Sequence, residues 1–348
     1  MKYLLFLIFS LCALVVSADT WIDPKTGIIW DFTVEEGQVS LGGGSKNSCA
    51  VPPSTTGDLV IPSMLEGYPV TRIGGYAFYC CRELTSVTIP FGVTSIGEWA
   101  FYGCGELKSV MIPVSVTSIG EWAFLGCCGL TSVTIPSGLT SIGQGVFAAC
   151  RNLTSVSLPL GVTSIGEWAF SGCDRLMSIE IPSSVAHISG RAFSGCDKLA
   201  SFVVASDNPI YCSFNGLLCT RRGSVLIAGI NGDVIIPSCV TSIGDNAFAL
   251  RSGLKSVVIP PCVTNLGDRA FFGCSSLTSV TIPPSVTSVG KRAFIGCSNL
   301  SVVYGEDGDL VRVSSLTGIP LSKFQERTMD NEGQTPLNMS GGGRVGLD

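Results

Sequence analysis

The sequence predicts a β-rich, right-handed solenoid of nine 23-residue coils, with a β-hairpin insertion after the sixth. Three observations carry that prediction. Aligned on its Ala-Phe pair, a repeat places Phe78, Phe101, Phe124, Phe147, Phe170 and Phe193 at a constant step of 23, and then Phe248, Phe271 and Phe294 at the same step. Each copy keeps its apolar residues at the same offsets. In the copy opening at Ile96 they are Ile96, Ala100, Phe101, Cys104, Leu107, Val110, Ile112 and Val116, a spacing that fits neither a helix nor a long alternating strand. Finally, one coil of this length cannot enclose those side chains, whereas stacked coils continue every column into the next.

The chain opens with Lys2, an apolar run from Leu4 to Val16 and the small residues Val16-Ser17-Ala18, the pattern of a signal peptide (residues 1–18) cleaved after Ala18. The run is shorter than the ~20 residues of a membrane-spanning helix. A secreted or cell-surface protein without a transmembrane segment is therefore expected. Losing Lys2 takes the formal net charge from −5 to −6, and only 14% of residues are charged. That balance offers no basic stripe to nucleic acid and is unlike a disordered chain.

Open solenoid ends expose strand edges and need covers. Residues 19–70 are read as an N-terminal β cap ending in a degenerate repeat, Asp58-Leu59-Val60-Ile61-Pro62. Repeats one to six occupy 71–204. Within each, only the stretch typified by Leu107-x-x-Val110-x-Ile112 has strand character; Pro113 ends it, and Gly97 and Gly103 mark turns.

The string Leu-x-x-Val-x-Ile-Pro-x-x-Val-x-x-Ile-Gly-x-x-Ala-Phe-x-x-Cys resembles the BspA-type leucine-rich repeat and recurs nine times over residues 71–300. Departures are local: Ser189 stands for the turn Gly, Arg251 for the repeat Cys, and Leu266 and Val289 for Ile. The resemblance implies a leucine-rich-repeat superhelix with a strand ladder, found on secreted and surface proteins and linked to adhesion and protein binding.

Residues 205–236 form the insertion, with strands expected at 211–214, 217–220 and 224–228 and a hairpin turn at Asn215-Gly216. Repeats seven to nine fill 237–303, a closing segment 304–322, and the polar stretch 323–348 is expected to be disordered.

The repeat cysteines form one column and are read as small buried hydrophobes, since parallel side chains disfavour disulfide geometry. Cys212 and Cys219, flanking the hairpin turn, and Cys239 and Cys262, one repeat apart, are the candidate disulfides. The single histidine, His187, has no nucleophile motif beside it, and neither metal-ligand nor nucleotide-binding patterns occur, so no catalytic residue, cofactor or metal is expected.

Two outward columns remain. On the strand face, Thr88, Met111, Thr134, Ser157 and Glu180 alternate with buried residues, giving a hydroxyl-rich sheet that either docks a partner or simply keeps the face soluble. In the turn, Trp99, Trp122 and Trp168 recur in register, either as an interaction patch or as rings packed flat on the next coil. The expected role is adhesion through a protein or glycan on a cell surface or matrix. A carbohydrate-active enzyme or glycan-binding protein on the same scaffold, using acids such as Glu180, and a structural cell-envelope protein are the alternatives.

Overall fold

The computed structural model describes residues 18–305, 314–315, 317–320, 322 and 324–326. Residues 1–17 of the expected signal peptide (1–18) and residues 327–348 of the expected tail (323–348) lie outside the described residues; Ala18 opens the first strand, in register with Thr33.

Each coil feeds two parallel ladders. The first is built from the Ser-Val-x segments: Leu84–Thr88, Ser109–Met111, Ser132–Thr134, Ser155–Ser157 and Ser178–Ile181. Alternation sends Val110 into the core and leaves Ser109 and Met111 outside. The second ladder takes two residues per coil, as in Ser95–Ile96 and Ser118–Ile119, with the Ile inward. Between the ladders Pro113 ends the strand and its carbonyl accepts from Val116 N at 3.0 Å, closing a turn. The remaining side of the coil is irregular, and its backbone is satisfied by the neighbour: Phe101 N donates to Ala123 O at 2.7 Å and Gly103 N to Leu125 O at 2.8 Å.

The two glycines read as turns act differently. Gly103 is left-handed (φ +69°). Gly97 is not, but a Cβ there would come within 2.6 Å of Gly74 C, so this glycine permits close approach of coils.

The nine phenylalanines line up in two stacks. Phe78, Phe101, Phe124, Phe147, Phe170 and Phe193 follow one another with centroids 4.8 to 5.7 Å apart. Phe248, Phe271 and Phe294 form the second stack at 5.0 Å. Beside them the column thiols do more than fill space. Cys104 Sγ donates to Phe78 O at 3.1 Å, Cys127 to Phe101 O at 3.1 Å and Cys173 to Phe147 O at 3.2 Å, each bond tying a coil to the one before.

The insertion divides the stacks. Tyr211–Phe214 and Leu217–Thr220 pair antiparallel across Asn215-Gly216. Val225–Ala228 then enters the second ladder against Ser242–Ile243, and Gly232–Ile235 enters the first against Leu254–Val258. Buried Asn208 anchors the excursion: its Nδ2 donates to Pro182 O and Val185 O, and its Oδ1 accepts from Tyr211 N at 2.7 Å. Tyr211 Oη accepts from Ile188 N at 3.0 Å, so the hairpin completes the sixth coil's ladder.

At the N-terminus Ile29–Glu35 pairs antiparallel with Ala18–Ile22 and Gln38–Leu41, and the latter passes into the second ladder through Tyr68–Ile73. Trp30 and Phe32 are buried there, with Trp30 edge-on to Phe78. At the other end the expectation of disorder from residue 323 is corrected for residues 324–326 alone. Phe324–Glu326 forms a strand parallel to Val302–Gly305, extending the first ladder by one rung.

The proposed disulfides are also corrected: Cys212, Cys219, Cys239 and Cys262 are all free thiols. Cys212 does face Cys219 in register, but its Sγ donates to Thr220 O at 2.9 Å. Cys262 Sγ donates to Val240 O at 3.2 Å, while Cys239 is exposed. Both sulfurs with bonds are turned to carbonyls of the adjoining chain.

Candidate functional site

On the first ladder, register places Val60 beside Thr88, Thr88 beside Met111, Thr134 beside Ser157, and Glu180 beside Val203. Each of these seven side chains faces solvent or is partly exposed, and Met111 and Val60 are 72% and 70% exposed. The face is therefore a hydroxyl sheet studded with apolar side chains. Asp58 closes its first end, accepting from Ser86 Oγ at 2.6 Å and Thr85 Oγ1 at 2.7 Å; those hydroxyls hold its carboxyl below the usual range. Asp233 accepts from Ser256 Oγ in the same way where the second array starts. Outward exposure fails at Thr281, which the alternation places outside. It is buried in the run where Ser279–Ile282 pairs with Val302–Gly305.

The turn column is a ladder of rings. Tyr76 stacks on Trp99 at 6.4 Å and Trp99 on Trp122 at 5.6 Å, while Trp122 meets Trp168 tilted, at 5.7 Å. A second row, Tyr79 on Tyr102 at 4.8 Å, runs beside it and meets Trp99 edge-on. All six rings are partly exposed. Each Trp packs on its neighbours and yet stays partly exposed. The repeat turn gives Tyr76, Trp99, Trp122 and Trp168 a positive φ, between 55° and 60°, as it does Asn246, Arg269 and Arg292 in the second array. For a bulky L-residue the left-handed region costs roughly 1–2 kcal/mol, which ring stacking of ~0.5–1.5 kcal/mol per pair offsets.

Sequence reading named the three tryptophans and missed Tyr76, Tyr79 and Tyr102. Tyr76 stands one 23-residue step before Trp99, and Tyr79 one step before Tyr102; following the offset instead of the Glu-Trp pair finds them. His187 is exposed in the second ladder, in register with Ser164. Glu180 lies on the open strand face beside Val203. Among the described residues no group of acids, histidines and cysteines is arranged to hold a metal ion, and no helix is long and apolar enough to cross a membrane.

Stacked coils with two short strands, tight turns and a buried Phe–Cys spine define a β-solenoid of leucine-rich repeats. The profile of the BspA type leucine rich repeat region matches residues 71–200 and 231–315, in six copies. The chain belongs to that family. Among solved structures, it is similar to a leucine rich cell surface protein of Faecalibacterium prausnitzii (25% identity, 86% of this chain and 98% of that one, TM-score 0.49). It is similar to a leucine-rich repeat protein of Eubacterium ventriosum (23%, 84% and 79%, TM-score 0.50). It is also similar to the pneumococcal vaccine antigen PcpA (18%, 83% and 82%, TM-score 0.61). The last two likenesses concern the fold. No curated protein matches the chain.

Proposed function

We propose that the protein is an extracellular adhesion module that binds a protein partner through the outside of the solenoid, without catalysis. The observation that carries this reading is the ring ladder. Six aromatic side chains are held in register, part exposed, and four of them, Tyr76, Trp99, Trp122 and Trp168, stand on a backbone that would be more relaxed with glycine. Rigid aromatic rows beside a polar rim are what protein interfaces use as anchors. The ladder favours protein over sugar, because Trp122 has Trp99 stacked on it and Trp168 tilted against it, whereas a sugar ring stacks on a free face. The exposed Met111 and Val60 on the strand face supply a second apolar element.

Export is part of the proposal and is supported by Lys2, the apolar run and Val16-Ser17-Ala18. Membership of the BspA-type family accords with binding at a surface. The test is attachment of the purified chain to cells and to matrix proteins, wild type against Trp99→Gly with Trp122→Gly, and against Met111→Glu. Loss of attachment with either variant supports the reading. Equal attachment by all of them sinks it.

A further inference from the structure

The turn face changes character between the sixth and seventh coils. The column that holds Tyr76, Trp99, Trp122 and Trp168 continues as Arg191, Asn246, Arg269 and Arg292. The coil-to-coil bonding stops at the same place. Before it, Trp122 N donates to Gln144 O and Phe124 N to Val146 O; after it, Asn246 N donates to Asp268 O and Phe248 N to Ala270 O. Among the described residues no such bond joins Arg191, Phe193 or Gly195 to the seventh coil, and Ala247 O accepts from Gly229 N at 2.7 Å instead. Side chains bridge the two arrays here: Arg191 Nε donates to Asn246 Oδ1 at 3.1 Å, Arg251 Nη1 to Cys196 O at 2.8 Å, and Ser252 Oγ to Asp197 Oδ1 at 2.6 Å.

At this seam lies a hollow of about 250 Å³. Three guanidinium groups line it, from Arg191, Arg269 and Arg292, and no carboxylate does. Arg191 is already committed. It donates to Glu167 Oε1 at 2.6 Å and lies over the Trp168 ring at 5.3 Å. Arg269 and Arg292 make no ion pair or side-chain hydrogen bond among the described residues, so their charge faces the hollow unspent. Ser194 also lines it; the residue is 5% exposed and its buried hydroxyl has no hydrogen-bond partner. A buried hydroxyl left unsatisfied is uncommon in a native fold and is often a sign of a missing ligand or water. Asn246 keeps its amide Nδ2 available while its Oδ1 is held by Arg191. Leu250 and Phe272 add apolar walls.

We propose that this seam is a binding site for an acidic sugar residue. Arg269 and Arg292 take its carboxylate or sulfate, since guanidinium forks match planar and tetrahedral oxyanions. Ser194 and Asn246 take its hydroxyls, and Leu250 and Phe272 meet its C–H face. An acidic peptide is disfavoured, because an extended backbone asks for a free strand edge or a long groove, and this is one hollow walled by ring and guanidinium groups. The proposal rests on the chain being a binding scaffold, but not on the ring ladder, from which the site is separate except at Trp168.

The test is calorimetric titration of the full chain at low salt with four probes: a hexuronate oligosaccharide, a sulfated oligosaccharide, a neutral oligosaccharide of equal length and an acidic peptide. The acidic saccharides bind and the neutral one binds at least about tenfold more weakly, in keeping with charge-assisted bonds. Which acidic saccharide binds more tightly identifies the acid. Arg269→Ala with Arg292→Ala weakens binding by about tenfold or more, and Ser194→Val weakens it with the thermal midpoint retained. Trp99→Gly leaves it unchanged, so saccharide binding without cell attachment would condemn the adhesion reading alone. An acidic saccharide that binds no better than the neutral one, an unaffected double variant, or binding by the peptide only would overturn the proposal.

Discussion

The indole of Trp122 lies across Gly145, and a Cβ on that glycine would overlap the ring; from there Trp122 reaches Trp168, two coils away, at 5.7 Å between centroids. Gly145 occupies the position where neighbouring coils carry Trp. A missing ring would be expected to interrupt the ladder. Instead the absent side chain makes room for the preceding one to bridge the step.

Gly145→Ala therefore breaks the ladder in two ways. It puts a side chain at φ +60° and into the space of the Trp122 ring. The left-handed backbone costs roughly 1–2 kcal/mol and the overlap about 1–3 kcal/mol more, unless the indole swings out. The expected result is a lowered urea midpoint together with tryptophan emission shifted to the red. A melt and spectrum identical to wild type would contradict the bridging arrangement.

Trp99→Gly behaves differently. The position has φ +57°, which glycine adopts freely, so relief of backbone strain offsets loss of the stacks with Tyr76 and Trp122. Stability is expected to stay within about 1 kcal/mol of wild type, while attachment falls. Chemical denaturation beside the attachment assay separates the two effects; a loss of several kcal/mol would make Trp99 a structural residue.

Phe170→Ala tests the spine. Phe170 is fully buried with Phe147 at 5.7 Å on one side and Phe193 at 5.6 Å on the other. The cavity should cost about 3–5 kcal/mol. Phe294→Ala, at the less buried end of the second stack, should cost less than Phe170→Ala. Equal losses in denaturant titrations would argue against a graded column.

What the sequence shows and hides divides along physical lines. The coil, the Phe stacks and the outward Thr88, Met111 and Glu180 follow from periodicity, because every copy repeats the same local rule. The seam is hidden because Arg191–Asn246 and Arg251–Cys196 join residues 55 apart, a separation no repeat announces. The disulfide expectation rests on a hairpin turn and on equivalent positions one repeat apart, whereas bonding depends on where each sulfur turns, and Cys212 turns to Thr220 O. Thr281 is buried by its position near the end of the array, and three strand residues, Phe324–Glu326, are too few to show a pattern.

The column thiols give a last prediction, one that depends on pH. Burial raises Cys127, Cys150 and Cys173 well above the ordinary thiol value of 9.0. Cys196 is also raised by burial, but only to about 11, because the guanidinium of Arg251 beside it favours the thiolate. An acid whose folded value lies above its unfolded one holds its proton more tightly in the native state. Its contribution is thus complete below pH 9 and is lost as pH climbs toward the folded value. Urea midpoints should be flat up to about pH 8.5 as far as these thiols decide them, and fall above pH 9. Native-state alkylation should modify exposed Cys239 first and spare the column. As pH rises, Cys196 should be the first of these four column thiols to react, and Arg251→Met should delay it. Labelling of Cys150 or Cys173 ahead of Cys196, read by peptide mass spectrometry, would show that Arg251 does not govern the order.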